Sequence, residues 1–260
     1  MTDTRFMGID RLYGRDTVAR LAQARVAVIG LGGVGSWAAE MLARGGIGSL
    51  TLIDGDEVCI SNINRQSHAL QHTVGWVKVE VLAERLRAIN PELHIDARGE
   101  FLTPARIPAL VDEHRDLILD ACDAFRVKIE LIAACRRARQ PLIVVGSAGG
   151  RADPTQVRVR DLSRTEHDKL LSLIRRKLRR DFAFPKNPER YFGVPAVYSL
   201  ENVRYPQPDG SVCGLRPATD AEGGFRLDCG AGLGAAMHVT AAFAGAAVAR
   251  AVEMLLRRPD

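Results

Sequence analysis

Short apolar runs alternate with amphipathic stretches over the first 150 residues of the chain. The runs at 25–30 and 49–54 are rich in β-branched or aliphatic residues and end in a glycine and an aspartate. Such runs are typical of buried parallel strands. Comparable runs predict further strands at 93–97, 116–120 and 141–146.

The stretches between these runs have the apolar spacing of helices. In one of them, Val79, Leu82, Leu86 and Ile89 fall on one face, and an Asn-Pro pair then ends the pattern. The predicted helices cover residues 36–44, 75–89, 104–113 and 126–138. Because strands alternate with helices, we predict an α/β fold with a doubly wound, mostly parallel, Rossmann-like sheet.

The pattern changes after residue 150. Residues 156–160 alternate like an edge strand, 166–180 form a basic helical stretch, and 181–226 are rich in proline and glycine. We predict a long loop or a pair of strands for this last segment, followed by a helix at 232–256. The chain is therefore interpreted as one domain, 1–260, with a core at about 25–160 and a C-terminal helix and loop extension at 161–260.

Composition excludes several classes of protein. The 36 basic and 31 acidic residues leave a net charge of +5, and 47% of residues are hydrophobic, so long disorder is not expected. Five scattered cysteines without a C-x-x-C pair argue against a disulfide scaffold or a four-thiolate zinc site. The N-terminus lacks the apolar segment of a signal peptide, which favours a cytoplasmic location.

One segment has the length and neutrality of a membrane span. Residues 230–249 are uncharged, but most are alanine or glycine and His238 lies in their middle. We interpret the segment as a buried helix whose small residues allow close packing. Membrane association through 230–249 is the alternative.

A glycine-rich turn follows the first strand and precedes the first helix of the core. It has the form G-x-G-x-x-G, with Gly30, Gly32, Gly33 and Gly35. The glycines let a phosphate approach backbone N–H groups at the start of a helix. Asp54 ends the next strand, where it can accept hydrogen bonds from a ribose. These features predict an adenine nucleotide but do not separate a dinucleotide from ATP.

Charged residues after the strands favour ATP. The carboxyl ends of parallel strands meet at one edge of a sheet, so Asp54, Asp56 and Asp123 are expected around one crevice with Arg65 and Lys78. Cations there can balance a triphosphate, and a carboxylate can hold Mg²⁺. Hydride transfer needs neither group.

Four motifs in this order resemble the E1-like adenylating enzymes, which have the ThiF-type fold of ubiquitin activators. They are GLGGVGS, DGDEVCISNINRQ, GWVK and DACD. The resemblance covers about residues 5–148. It implies that ATP binds in the crevice, that a substrate carboxylate attacks the α-phosphorus, and that an acyl-adenylate forms as pyrophosphate leaves.

The resemblance also implies roles for residues. Asn62, Arg65 and Lys78 would contact the phosphates, and Asp123 would hold Mg²⁺ and act at the reacting end. Members of the family are usually homodimers in which an arginine near the N-terminus reaches the partner's nucleotide, and Arg11 is the matching residue. The implied nucleotide-binding set is Gly30, Gly32, Gly33, Gly35, Asp54, Asp56, Asn62, Arg65, Gln66, Lys78 and Asp123.

Within this family the remaining sequence resembles the tRNA threonylcarbamoyladenosine dehydratases. The matching segments are 5–6, 11–14, the basic stretch after Thr165, 198–201, 205–210 and 228–230. The resemblance implies that ATP activates the carboxylate of threonylcarbamoyladenosine in tRNA. The neighbouring ureido group would then displace AMP and close a ring with net loss of water.

The basic stretch is the predicted RNA-binding surface. Its positive charge could contact phosphates, and the alternative is a solvated helix face. The candidate residues are Lys169, Arg175, Arg176, Lys177, Arg179 and Arg180.

Other functions remain open from the sequence. An activator of a ubiquitin-like sulfur carrier would need a productive thiol, for which Cys229 is the candidate, and would bring a sulfur-transfer protein as partner. The missing zinc-binding cysteine pairs disfavour it. An NAD-dependent oxidoreductase would leave Arg65, Lys78 and Asp123 unexplained. A non-enzymatic RNA-binding adaptor would bind nucleotide without releasing AMP.

Overall fold

A seven-stranded sheet forms the centre of the computed structural model, which describes residues 4–215 and 233–257. The strands are β1 (Arg25–Ile29), β2 (Ser49–Ile53), β3 (His94–Arg98), β4 (Leu117–Asp120), β5 (Leu142–Val145), β6 (Val157–Asp161) and β7 (Pro195–Ser199). Their spatial order is β3-β2-β1-β4-β5-β7-β6. Neighbouring strands are parallel except for β6, which is antiparallel to β7.

Helices cover both faces of the sheet. They are α1 (Met7–Tyr13), α2 (Thr17–Leu21), α3 (Gly35–Arg44), α4 (Lys78–Ile89), α5 (Ile107–Asp112), α6 (Phe125–Ala138), α7 (Lys169–Asp181) and α8 (Met237–Leu256). Buried residues of α3, α4 and α8 form one core with the sheet, and those of α5, α6 and α7 form a second core on the other face. The predicted doubly wound α/β fold is therefore confirmed.

The first strand shows why the strands are apolar throughout. Val26 and Val28 point into the first core, whereas Ala27 and Ile29 point into the second. Both faces of a parallel sheet lose water to the helices that cover it, so successive residues are buried. This explains why the strands appeared in the sequence as continuous apolar runs.

Helix α4 begins later than the sequence pattern predicts. We expected it from residue 75, but Gly75 has φ +87° and Val77 is extended. Val77 instead forms an isolated antiparallel bridge with Glu57. The helix starts at Lys78, which places this lysine in the first turn. Residues 104–113 likewise divide into a 3-10 turn, Pro104–Arg106, and the shorter helix α5.

Helix α7 begins at Lys169 rather than at residue 166. His167 has φ +54°, which lies outside the range of a right-handed helix, and Asp168 is extended. The Asp168 side chain accepts a hydrogen bond from the Leu171 N–H at 2.8 Å and caps the helix.

The proline- and glycine-rich segment contributes a strand that the pattern did not reveal. β7 lies inside the sheet, between β5 and β6. The expected pair of strands is also present as a short ribbon of β8 (Tyr205–Pro206) and β9 (Val212–Cys213). Residues after 160 therefore build part of the central sheet.

Among the described residues, one helix, α8, is long and apolar enough to cross a membrane by length and composition. It contacts α3 and strands of the sheet, and Phe243 is fully buried in the first core. Core helices of soluble proteins pass the same test, so its packing favours the buried-helix interpretation over membrane association.

Candidate active site

The crevice is the region at the carboxyl edge of the sheet where β1 has β2 on one side and β4 on the other. The Gly30 N–H donates to the Ile53 carbonyl at 2.9 Å, and the Ala121 N–H donates to the Ile29 carbonyl at 2.9 Å. The ends of three strands are thereby joined. Ligands of open α/β sheets bind at this kind of position, where the strand order reverses.

Glycine occurs at the different positions of the turn for different physical reasons. Gly30 has φ +79°, and a Cβ atom there would lie 2.8 Å from the Cys122 Cα atom. A Cβ atom at Gly35 would collide with the Gly30 carbonyl oxygen. At Gly32, by contrast, a Cβ atom would meet nothing within 4 Å. Gly30 and Gly35 therefore allow close packing, and Gly32 leaves space for an approaching group.

The turn also touches the loop that follows β2. A Cβ atom at Gly33 would lie 3.3 Å from Arg65 Cγ and 3.0 Å from Thr240 Cγ2 of α8. The backbone carbonyl of Arg65 accepts a hydrogen bond from Trp37 Nε1 at 2.9 Å. The Arg65 guanidinium donates to the Ser61 carbonyl at 2.7 Å. Arg65 is thus held beside the glycine turn by α3 and by its own loop.

Asp54 fastens the glycine turn to β2. Its Oδ2 accepts from the Leu31 N–H at 2.6 Å, and its Oδ1 accepts from the Asp56 N–H at 2.9 Å. Burial raises the pKa of the Asp54 carboxyl, and the nearby Lys78 ammonium opposes that rise. This structural role adds to the ribose contact expected from the sequence, which stays a prediction.

Lys78 brings a buried positive charge to the crevice. Its side chain is 6% exposed, and its Nζ lies 2.8 Å from Oδ2 of the half-exposed Asp56. The Lys78 N–H also donates to the Asp56 carbonyl at 3.0 Å. Because α4 starts here, the aspartate loop and the lysine are positioned together.

The loop between these groups contains two buried amides. Asn62 Oδ1 accepts from the Cys59 N–H at 3.1 Å, which stabilises the turn before Arg65. Gln66 is buried, and its Oε1 has no hydrogen-bond partner in the described part of the chain. Asn62 therefore stabilises the loop, whereas the Oε1 atom of Gln66 could still accept a hydrogen bond.

Asp123 is exposed directly after β4, on a turn supported by a buried ion pair. Lys128 Nζ lies 2.8 Å from Asp120 Oδ2, and both side chains are fully buried. Asp120 Oδ1 accepts from the Cys122 N–H at 3.1 Å. We did not identify Lys128 from the sequence, although it precedes Ile132 by one helical turn on the buried face of α6.

No cluster of three or more metal-ligating side chains occurs in residues 4–215 and 233–257. Mg²⁺ commonly uses only one or two carboxylates together with substrate phosphates. Asp123, an exposed carboxylate at the crevice, fits that mode of binding. Asp56 is already paired with Lys78.

Arg11 is exposed on α1, apart from the crevice of its own chain. α1 contacts α2, and the Leu21 carbonyl at the end of α2 accepts from the Gly48 N–H, just before β2. This is the amino edge of the sheet, opposite the glycine turn. Cys229, the candidate thiol, lies outside the described residues.

The predicted RNA-binding residues all lie on α7 but make different contacts. Lys177 and Arg180 both pair with Asp181. Arg179 donates to the Pro185 carbonyl at 3.2 Å. Asp181 therefore balances one of the two charges of Lys177 and Arg180, and Arg179 is held within the chain.

The other three basic residues differ in their surroundings. Arg175 donates to the Thr165 hydroxyl, and Lys169 Nζ donates to the Tyr205 hydroxyl at 2.7 Å. Arg176 is exposed. Lys169 thus contacts β8, Arg175 contacts the loop before α7, and Arg176 faces solvent.

Comparison with known proteins gives consistent matches along the chain. A model of the ThiF family matches residues 5–260. The chain is 46% identical over 254 residues to the tRNA threonylcarbamoyladenosine dehydratase of Escherichia coli strain K12, covering 98% of this chain and 94% of that protein. It is 43% identical over 256 residues to the dehydratase of the same name from Haemophilus influenzae, covering 98% and 95%.

A solved structure has the same fold over nearly the whole chain. It is the Escherichia coli tRNA N6-threonylcarbamoyladenosine dehydratase TcdA in complex with ATP, with a TM-score of 0.84 and 42% identity over 97% of this chain and 93% of that one. The family match, the identity and the shared fold lead to one conclusion. The chain belongs to the ThiF family.

Proposed function

We propose that this protein is an ATP-dependent dehydratase of N6-threonylcarbamoyladenosine in tRNA. It adenylates the free carboxylate of the modified nucleoside and lets the product cyclise. The observation that carries this proposal is the 46% identity to the Escherichia coli dehydratase over 98% of the chain. The match includes the segments after residue 160 as well as the nucleotide crevice.

The crevice suits the first step. A carboxylate oxygen of the substrate attacks the α-phosphorus of ATP, the bond to the β-phosphate oxygen breaks, and pyrophosphate leaves. Arg65 lies beside the glycine turn, and Lys78 pairs with Asp56 just after β2. Positive charge at these positions stabilises the negative charge that develops on the phosphates. The open space at Gly32 allows the phosphates to approach the start of α3.

The second step needs no enzyme nucleophile. The ureido group of the same nucleoside attacks the activated carbonyl carbon and loses a proton to solvent, the ring closes, and AMP leaves with the former carboxylate oxygen. Intramolecular attack has a high effective concentration. The enzyme must mainly hold the adenylate and keep water away from it.

Further parts of the proposal concern the metal and the assembly. Asp123 would hold Mg²⁺, which neutralises phosphate charge when bound.

The chain would act as a homodimer in which Arg11 reaches the partner's crevice. This agrees with the position of α1, which lies away from the crevice of its own chain. A tRNA substrate favours the cytoplasm. The sulfur-transfer partner stays a prediction from the sequence resemblance.

The test is AMP release from ATP and Mg²⁺ with purified tRNA that carries the threonylcarbamoyl group. We expect AMP together with a nucleoside lighter by one water, formed only with ATP. Asp123→Ala should abolish AMP formation at unchanged thermal stability. Asp112→Ala, which alters an exposed carboxylate at the far end of α5, should be as active as the wild-type protein.

Two results would contradict the proposal. One is AMP release with tRNA but no loss of water from the nucleoside. The other is AMP release that requires a small ubiquitin-like protein and ignores the tRNA, as expected of a sulfur-carrier activator.

A further inference from the structure

A second pocket, of about 420 Å³, lies between the start of α7 and the β8–β9 ribbon. None of the nucleotide-binding residues described above lines it. Its described lining is His167, Asp168, Lys169, Ser172, Arg175, Asn202, Val203, Tyr205 and Gly214.

The pocket lies at the same edge of the sheet as the crevice. Asp168 Oδ2 accepts from the Ser147 N–H at 2.8 Å, and Ser147 follows shortly after the end of β5. β5 is the neighbour of β4, which carries Asp123 at its end. A substrate that reaches the crevice with one group can therefore extend into this pocket with another.

Hydrogen-bond donors dominate the pocket lining. Lys169 Nζ donates to the Tyr205 hydroxyl and lies 5.1 Å from the centre of its ring, which holds the ammonium in the wall. Arg175, Ser172 and the Asn202 amide add further donors. Asp168 is the one acidic side chain in the described lining, and backbone N–H groups hold both of its oxygens.

A buried arginine behind the wall provides an independent sign of an anion. Arg151 is 4% exposed, and its Nη2 donates to the carbonyl of His167 at 2.7 Å. Its Nε and Nη1 are buried without a hydrogen-bond partner in the described part of the chain. Asp168 and Glu201 supply some negative charge nearby. The unused donors of a buried cation are still costly, and an anion in the adjoining pocket would reduce that cost.

We propose that this pocket binds one phosphate-bearing nucleotide of the tRNA substrate, next to the nucleotide that reacts. The inference rests on the proposed function. The volume is in the range of small-ligand pockets and suits one nucleotide. Lysine, arginine and hydroxyl donors are the groups that proteins use to bind RNA phosphates.

The test compares three variants for tRNA binding at several salt concentrations. Lys169→Gln removes one charge from the pocket, and Ser172→Glu adds a repulsive one. Arg137→Gln is the matched control, because Arg137 is exposed near the end of α6, at the opposite edge of the sheet. Thermal stability is measured for each variant, so that weaker tRNA binding can be distinguished from unfolding.

We expect affinity for tRNA to fall about fivefold for Lys169→Gln and at least tenfold for Ser172→Glu, with less than a twofold change for Arg137→Gln. The slope of log affinity against log salt should decrease by about 0.7–0.9 for Lys169→Gln, as for one lost phosphate contact. Losses should be equal for tRNA with and without the threonylcarbamoyl group. ATP affinity should not change.

Three results would overturn the inference. Equal losses for Lys169→Gln and Arg137→Gln would show only a general charge effect. Weaker ATP binding by Ser172→Glu would assign the pocket to free nucleotide, and a loss confined to modified tRNA would assign it to the threonyl carboxylate. Failure of the proposed function is distinguishable, because the wild-type protein would then bind tRNA without forming a dehydrated nucleoside.

Discussion

The ion pair between Asp120 and Lys128 is fully buried beneath the turn that carries Asp123. Lys128→Met should lower the free energy of unfolding by about 3–5 kcal/mol, because it leaves a buried carboxylate without its cation. Urea denaturation measures this loss.

An exposed pair on the same helix serves as the control for that experiment. Arg126 is 83% exposed and lies 3.4 Å from Glu130. Arg126→Met should cost less than about 1 kcal/mol, because water and salt screen exposed charges. Similar losses of unfolding free energy in the two variants would show that the buried pair stabilises the fold no more than the exposed pair does.

His68 should make stability depend on pH. Its ring is 1% exposed, and burial, aided by Lys78 and Arg85, lowers the pKa of His68 to about 4. The unfolded chain takes up this proton near pH 6.5, so it binds more protons than the folded chain between pH 6.5 and 4. Stability therefore falls as the pH drops through that range, by about 2 kcal/mol from pH 7 to pH 5.

The measurement is urea denaturation at pH 7, 6 and 5. His68→Gln should remove most of the dependence, whereas His94→Gln, at an exposed position, should retain it. An unchanged slope in His68→Gln would mean that another group takes up the proton.

At the scale of elements, the turn between β1 and α3 contains one glycine that matters for ATP binding and another that matters for stability. Gly32→Ala adds a methyl group in open space, so stability should change by less than about 0.5 kcal/mol while ATP affinity falls at least tenfold. Gly35→Ala forces a methyl group against the Gly30 carbonyl and should cost more than about 2 kcal/mol. Thermal unfolding and calorimetric ATP titration distinguish the two effects, and equal stability of the variants would contradict this division.

The sequence predicts those elements whose pattern is local. Helices cover both faces of the sheet, so the central strands β1, β2, β4 and β5 are continuous apolar runs that the sequence shows directly. The polar residues that follow these strands then predict where the crevice lies. The start of α4 was misplaced because the bridge between Val77 and Glu57 holds the backbone extended, and no local pattern reveals that pairing.

Long-range pairing limits the prediction elsewhere. β7 depends on contact with β5, about 50 positions earlier, and its own five residues follow a segment rich in turn-forming residues. The basic stretch was identified correctly as a helix. Only the fold shows that Lys169 and Arg175 face a pocket while Arg176 faces solvent.

At the scale of the whole molecule, Arg11 tests whether two chains share one site. Arg11→Ala and Lys78→Ala should each abolish AMP formation when assayed alone. In a mixed dimer, the crevice of the Arg11→Ala chain retains its own Lys78 and receives Arg11 from the partner. Mixing equal amounts after reversible dissociation should therefore restore up to about a quarter of wild-type activity, because half of the dimers are mixed and one of their two sites is intact.

The rate of AMP release before and after mixing is the measurement. A mixture that stays inactive would show that Arg11 serves its own chain or that no dimer forms. Mixing Asp123→Ala with Lys78→Ala is the control, since both residues belong to one chain's crevice and no site is repaired.

The position of β7 also sets the order in which the protein can be completed during synthesis. β7 follows β5 and β6 along the chain but separates them in the sheet. A nascent chain that ends near residue 160 has every crevice residue from Gly30 to Asp123, yet the outer edge of β5 has no strand to pair with. Unpaired edges of parallel sheets invite aggregation. The crevice residues therefore leave the ribosome early, but the sheet that positions them is complete only after residue 199 has emerged.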